Sequence, residues 1–435
     1  MATGKISRFF KLAGMTASVT GTITGFKIAS AFLSSDKVPM RRMAANSTVG
    51  RRIAKTLGEL KGPIMKVGQM ASISGDMLPE EFAKPLAALR KDAPPVPFKV
   101  IAKQVKAELG APPEELFESF DEQPFAAASI GQVHQAVTRD GQEVVVKVQY
   151  PGVDRSARAD ISQLRFALKA SGMFKKKKDL LEGFFEEMTA RLDEELDYEL
   201  EADNMETLGR FHESFDYLRI PRVVRERSSR RVLTMSFEPG DAFSQAEGYP
   251  QEVRDLIGAR LLEMLFSQIF VLGILHSDPN PANYAFTPDG GVILYDFGSV
   301  KRFTEQEAGG ARDVILGAFD EDYEMAERGM LSIGARDPES AAPPTWIYKT
   351  WRDLLMPVFD GEEPFDFGRS ELHKKLLVKL PEFRDQLAYF RMPVSLMLVQ
   401  RTFVGTYGNL RSLGSRVLGR GIVEPIARAA KDRGE

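Results

Sequence analysis

His276-Ser277-Asp278-Pro279-Asn280-Pro281-Ala282-Asn283, followed downstream by Asp296-Phe297-Gly298, is the stretch on which the fold turns. Asp278 precedes Asn283 by five residues, and Asp296 follows Asn283 by thirteen. Directly before Asp296 lies Val292-Ile293-Leu294-Tyr295, an apolar run that reads as a short strand. The polar residues are thereby expected on loops. One carboxylate beside an attacking oxygen, with an amide and a second carboxylate to hold a cation against phosphates, is the inventory that phosphoryl transfer needs. The two cation ligands must come from adjacent loops at one end of a lobe, so a short hairpin is predicted between them.

These spacings match the catalytic loop and metal-binding motif of protein kinases. Asp-Phe-Gly alone, or His-x-Asp alone, carries little. Both together, in loop–strand–loop order, point to one site. The amino-terminal half offers the remaining parts. Arg139-Asp140-Gly141-Gln142 stands between two β-rich runs, a hairpin signal, and Lys147 ends the Val144-Val145-Val146 run on its second arm. That is where a strand lysine grips phosphates in the kinase pattern. Upstream, where kinases carry a glycine-rich loop, this chain has Ala126-Ala127-Ala128-Ser129-Ile130-Gly131. Glycines let backbone N–H groups approach phosphates closely, and alanines stiffen such a loop. The cover over the nucleotide is changed rather than missing. Met235, at the end of the strand Arg231–Met235, is a further candidate for the nucleotide-binding set. A lysine at this position needs a carboxylate to aim it. The helix around Glu195-Leu196-Asp197-Tyr198-Glu199-Leu200-Glu201 supplies several, and pattern alone does not choose among them.

Together these residues resemble the UbiB family of atypical protein-kinase-like proteins, involved in ubiquinone and other isoprenoid-lipid metabolism. Lys66-Val67-Gly68-Gln69 is similar to the family's KxGQ motif. Ala126 to Gln132 is similar to its alanine-rich loop, and Glu195-Leu196-Asp197 to its ExD motif. The resemblance runs from about Lys5 to near Asn409. It implies an α+β, atypical protein-kinase-like two-lobed fold with an N-terminal helical extension. It also implies that Lys147 binds the phosphates of ATP or ADP, that Glu201 orients Lys147, and that Asn283 and Asp296 hold Mg2+. Asp278 would accept a proton from water or a substrate hydroxyl. Lys66 would lie over the nucleotide site and pair with Glu195, the extension folding back across the cleft. Without the resemblance, Lys66–Gln69 reads as a helix surface with a packing glycine.

The organisation expected is a basic membrane-surface or helix-pairing segment over 1–36 and a helical extension over 37–97. A kinase-like N-lobe with inserted helices follows over 98–240, and a helical C-lobe over 241–435. Pro94-Pro95-Val96-Pro97 marks one boundary, and Phe98 to Leu109 is predicted as an amphipathic helix closed by Gly110. Asp160 to about Phe211 is predicted helical with a break near Lys175–Lys178, and Val253 to Val271 as one long helix. From Glu305 onward the pattern is helical, apart from Pro343-Pro344 and Phe359 to Phe367.

Bulk properties restrict the chemistry further. The chain of 435 residues has no cysteine and four histidines, which excludes disulfides, thiol catalysis and Cys-ligated zinc. Its net charge of -3 hides an asymmetry. Residues 1–66 hold 12 Lys/Arg against two acids, a net +10, leaving -13 on the remaining 369. Such a basic segment suits an anionic surface, either lipid headgroups or nucleic acid. Gly14 to Leu33 is the most apolar stretch, but Lys27 and its Thr and Ser argue against a spanning helix. A mitochondrial transit peptide is an alternative to a cytoplasmic, peripherally membrane-associated protein. With the resemblance, the expected partners are anionic membrane lipid, isoprenoid-lipid intermediates and ubiquinone-biosynthesis proteins. A homodimer stays open, and no nucleic acid is expected.

Two departures from ordinary protein kinases matter. After Gly298 the chain turns quickly to the acidic helix Glu305-Gln306-Glu307, with no Ala-Pro-Glu motif and no long activation segment. The end, Gly419 to Glu435, is polar and charged. The leading expectation is therefore a Mg-ATPase or small-molecule kinase at a membrane surface. The alternative is a nucleotide-binding regulatory module of a biosynthetic complex. An ordinary Ser/Thr protein kinase ranks behind both.

Overall fold

The computed structural model describes residues 95–432, apart from 129, 172–177, 380–385 and 392, together with the isolated positions 14, 21 and 48. The basic segment, Lys66–Gln69 and Ser129 therefore lie outside the described residues. The chain divides into two compact units, residues 1–200 with 223–237, and residues 201–222 with 238–435.

In the first unit, α1 (Phe98–Leu109) ends at Gly110, whose left-handed backbone returns its N–H to the Lys106 carbonyl. A short turn of helix, α2 (Pro113–Leu116), leads into β1 (Phe117–Phe120) and β2 (Ala126–Ala127). Strands β3 (Gly131–Thr138) and β4 (Glu143–Gln149) form the predicted hairpin. Gly141 sits in its turn at φ 85°, a conformation that residues with a side chain adopt at a cost. The helices α3 (Val153–Ser171) and α4 (Lys178–Glu195) follow.

The division between the units falls within α5 (Tyr198–Phe211). The helical run predicted from Asp160 to Phe211 is cut at Leu196-Asp197, because Asp197 starts a new helix; the break expected near Lys175–Lys178 falls mainly outside the described residues. Its Oδ1 accepts from the N–H groups of Glu199 and Leu200, both at 3.2 Å, satisfying donors that a helix start leaves open. After β5 (Leu218–Arg219) in the second unit, the chain returns to the first as β6 (Val232–Ser236). The first unit's antiparallel sheet runs β1-β3-β4-β6, with β2 paired to β3. Val144, Val146 and Val148 pack with Ile101 and Val105 of α1 and with Phe117 in one core. Strand side chains alternate between faces, so burying these valines turns Val145 and Lys147 the other way.

The second unit opens with β7 (Asp241–Ala242), α6 (Phe243–Ala246) and α7 (Gln251–Ser267). The expected long helix to Val271 is present but changes type along its length. Beyond Ser267 it widens into a π-type turn over Gln268–Leu272 and stops at Gly273. Next come β8 (Ile274–His276), β9 (Tyr284–Phe286), β10 (Val292–Leu294) and β11 (Val300–Arg302). They build two small sheets, β5-β10-β9-β7 and β8-β11. The remainder is mainly helical: α8 (Glu305–Asp320), α9 (Tyr323–Ser332), α10 (Thr345–Leu355), α11 (Leu372–Lys379), α12 (Val394–Leu413) and α13 (Gly419–Asp432). In the stretch excepted from the helical expectation, β12 (Phe365–Asp366) forms a short antiparallel pair with β13 (Arg416–Val417), and β13 is the departure from that expectation. Among the described residues, no helix is long and apolar enough to cross a membrane.

Candidate active site

In the first unit, Lys147 stands mid-strand on β4, opposite Val133 on one side and Leu233 on the other. It is 8% exposed, and its Nζ lies 5.0 Å from the centroid of the Tyr198 ring. Sheet geometry fixes the direction of this side chain and burial limits its freedom, while the ring face offers an attractive partner for a cation. Ala126 and Ala127 pair with Val133 and Gln132, so the alanine-rich segment is the outer arm of a second hairpin. Ala128 continues it, its N–H donating to the Gly131 carbonyl at 3.0 Å. Ala126 and Ala127 are exposed, as a cover over a ligand requires, while Met235 is buried inside β6 at 5% exposure, opposite Val145. Glu195, half-buried, closes α4.

The second unit brings Asp278, Asn283 and Asp296 together through a network of directional bonds. The loop after β8 begins at His276, whose N–H donates to Gln268 Oε1 at 2.8 Å from the π-type turn. Burial pushes the His276 imidazole below its ordinary value, so it is neutral. A carbonyl oxygen can only accept, so Nε2 carries the proton and donates to the Asp296 carbonyl. The ring also stands edge-on to Phe297, centroids 5.5 Å apart. His276 thus ties the first polar segment to the second. Ser277 repeats the tie: its N–H donates to the Ser299 carbonyl at 3.0 Å, and the two hydroxyls lie 2.9 Å apart.

Asp278 exposes its carboxylate beside this tie, with Oδ1 2.5 Å from Nη2 of Arg401 on α12. Asn283 folds back on the loop: its Nδ2 donates to the Asp278 carbonyl at 3.2 Å and its N–H to the Asn280 carbonyl at 2.9 Å. The Asn283 carbonyl accepts from Tyr295 N–H at 3.0 Å, which hooks the loop to the entry of Asp296. Between them runs the predicted hairpin, with Leu294 opposite Tyr284 and Val292 opposite Phe286. Asp296 Oδ1 accepts from Gly298 N–H at 3.0 Å.

Phe297 is fully buried, and α5 grips its peptide groups. Glu201 Oε1 lies 3.5 Å from its N–H, and Asn204 Nδ2 donates to its carbonyl at 3.1 Å. Arg302 then donates to Asn204 Oδ1 at 2.8 Å. Glu201, 2% exposed, is therefore set against the backbone of the Asp296-Phe297-Gly298 segment. After Gly298, β11 pairs back onto β8, Val300 opposite His276, and Thr304 caps α8. Thr304 Oγ1 accepts from Glu307 N–H at 3.1 Å while the Glu307 carboxylate accepts from Thr304 N–H at 2.8 Å.

The donor set fits Mg2+. Asn283 uses its amide nitrogen inside the loop, which would leave the oxygen end to a cation, and Asp296 would add a carboxylate. Hard oxygen donors in this small number suit an ion that keeps several waters and completes its shell with substrate phosphates. No cluster of three or more His, Cys, Asp or Glu able to hold a metal occurs among the described residues, so an all-protein cage is not on offer there.

A family model for the ABC1 atypical kinase-like domain matches residues 88–329. The chain belongs to this family. It is the UbiB family of the sequence resemblance. An atypical kinase of Caenorhabditis elegans, coq-8, mitochondrial, is 33% identical over 342 residues, covering 76% of this chain and 45% of that protein. Activity of BC1 complex kinase 7, chloroplastic, of Arabidopsis thaliana is 33% identical over 291 residues, covering 64% of this chain and 40% of that protein. The chain thus spans less than half the length of these two relatives. Among solved structures, Rv3197 of Mycobacterium tuberculosis in complex with erythromycin superposes with a TM-score of 0.62 at 29% identity. That match covers 90% of this chain and 98% of the other, and fixes an α+β, protein-kinase-like fold.

Asn204, Arg401, Gly405 and Asn409 are site residues that the motif reading misses. Their signal was present in part. Arg401, Gly405 and Asn409 recur every four residues along α12, and one helix face carries such a series. No motif attaches that face to a loop more than a hundred residues earlier.

Proposed function

We propose that the chain is an ATP-dependent phosphotransferase or ATPase of the ABC1 atypical type. It acts at an anionic membrane surface in support of ubiquinone or other isoprenoid-lipid biosynthesis. The observation that carries the catalytic part is the network holding Asp278, Asn283 and Asp296 on adjoining loops of the second unit. Asp278 accepts the proton of an attacking water or hydroxyl, its carboxylate being the reactive end of the loop. Asn283 and Asp296 would hold Mg2+, which neutralises phosphate charge when bound. Lys147 binds phosphate oxygens as a point charge. Glu201 and Asn204 keep the Asp296-Phe297-Gly298 backbone in place.

The membrane part is supported by the net +10 over residues 1–66 against -13 on the rest, since each lysine or arginine near an anionic bilayer contributes about 1 kcal/mol. The lipid-biosynthetic part is supported by the family resemblance and by relatives named as a mitochondrial atypical kinase and a chloroplastic kinase. The test is ATP turnover by wild type and Asp278→Asn, with and without anionic vesicles. Wild-type turnover stimulated by vesicles and lost in Asp278→Asn is expected. Turnover by neither protein under any condition would favour a nucleotide-binding regulatory module. Vesicle-independent activity toward a peptide would overturn the membrane reading.

A further inference from the structure

The last long helix but one reaches the catalytic loop at three successive turns. Arg401, Gly405 and Asn409 are spaced four apart on α12, so they share one face. Arg401 Nη2 meets Asp278 Oδ1 at 2.5 Å. One turn on, a Cβ placed on Gly405 would lie 2.2 Å from Cγ of the Pro279 ring, so helix backbone and proline ring are already in contact. One turn further, Asn409 Nδ2 donates to the Pro279 carbonyl at 2.9 Å, and Asn409 is buried. An ion pair, a steric fit and a buried amide bond therefore converge on two consecutive residues. One of them is the only side chain of the loop assigned to proton transfer.

We propose that Arg401 is a positioning residue for Asp278, and that the Arg401–Gly405–Asn409 face of α12 is the clamp that sets the geometry of the catalytic loop. The proposal rests on the reading of Asp278 as the proton acceptor. Its chemistry follows from the groups. A carboxylate on a short side chain rotates about two bonds, and only one of its orientations serves an incoming hydroxyl. The planar guanidinium takes one carboxylate oxygen at hydrogen-bond distance and leaves the other, Oδ2, for the reacting proton. Arg401 comes from a rigid helix whose neighbouring turns are fixed to Pro279, so its reach cannot drift independently of the loop. Ordinary kinases surround this loop with an activation segment. Here Val300–Arg302 is paired with β8 and α8 starts at Glu305, so support for Asp278 comes from a distant helix instead. Asp278 and Arg401 are 15% and 29% exposed, accessible enough for substrate and for a small solute.

The experiment uses the full chain and ATP hydrolysis on vesicles of equal parts phosphatidylcholine and phosphatidylglycerol. Arg401→Ala is expected to lower kcat by about 10- to 100-fold with KM for ATP within about twofold, the pattern of a lost positioning contact. Guanidinium ion at millimolar concentration should restore part of the loss in Arg401→Ala and none in Asp278→Asn. Arg401→Lys, which keeps the charge but not the fork, should fall between wild type and Arg401→Ala. An unchanged kcat in Arg401→Ala, or a loss that guanidinium leaves untouched, overturns the proposal. An unchanged kcat in Asp278→Asn removes the proton-acceptor role itself, a separate failure. If wild type hydrolyses no ATP, amide hydrogen exchange decides the clamp alone. Faster exchange at Ala282 and Asn283 in Arg401→Ala supports it, and exchange equal to wild type overturns it.

Discussion

The two units carry their chemistry in different materials. In the first, Lys147 is aimed by a sheet: strand alternation and the burial of Val144, Val146 and Val148 against α1 leave it one direction to point. In the second, Asp278, Asn283 and Asp296 stand on loops, and side-chain or peptide hydrogen bonds hold each of them. Apolar packing is non-directional and tolerates exchanges of similar volume. Hydrogen bonds among buried groups are directional, and losing one partner strands the other. The lesson is that the residues of the first unit should be forgiving of substitution and those of the second brittle.

The largest expected effect lies on the brittle side. Asp278→Asn keeps the shape of the loop but removes the proton acceptor, and should lower kcat by about 10²- to 10⁴-fold with an unchanged circular dichroism spectrum. A loss below tenfold would make the loop network structural only.

Next comes the acid sensitivity of α5. His212 is buried at its end, with Nδ1–H donating to the Leu208 carbonyl at 2.8 Å, and burial lowers its pKa to about 4. Above its ordinary value of 6.5 both folded and unfolded chains carry it neutral, and it adds no pH dependence. As the pH falls from 6.5 toward 4, the unfolded chain binds a proton that the folded one refuses, so stability is lost across that window. The loss amounts to roughly 3 kcal/mol at its lower edge. Urea unfolding of wild type at pH 7 and pH 4.5 should show a larger drop than His212→Gln. Equal drops would clear His212 of the effect.

Gly405→Ala tests the contact with Pro279. The added methyl must push helix and loop apart, which should cost about 1–3 kcal/mol of stability and reduce turnover along with it. A variant that melts like wild type would mean that the loop yields more easily than its bonds suggest.

The smallest effect belongs to the forgiving side. Met235→Leu conserves volume inside β6 and should cost less than about 1.5 kcal/mol, with ATP affinity within about twofold. A greater loss of affinity would give Met235 the nucleotide contact expected from its position.

What could be read from the sequence follows the same division. The β3–β4 hairpin was legible because Asp140-Gly141 and the valine run are local signals, decided within a few residues. Asp278, Asn283 and Asp296 were legible by spacing alone, and the β9–β10 hairpin between them is the element that this spacing requires. The break at Asp197 was visible as a helix-capping residue but lay within a run of helix formers that hid it. Arg401 and Asn409 were out of reach for a different reason. Their partners, Asp278 and Pro279, are more than a hundred residues away, and an arginine or asparagine on a helix face carries no local mark of what it will touch. Glu201 was singled out by the motif pattern, and its carboxylate lies 3.5 Å from the Phe297 N–H, a contact that no motif encodes.

The pairing of Val300–Arg302 with β8 has a consequence for control. Kinases throttled by phosphorylation need a stretch after their Asp-Phe-Gly that can swing between two shapes when a hydroxyl is modified. Here that stretch is stitched into a ladder three residues long and then locked by the Thr304–Glu307 box, so it has no slack in which to swing. Any throttle on this molecule would have to sit outside the segment that kinases controlled by phosphorylation use for it.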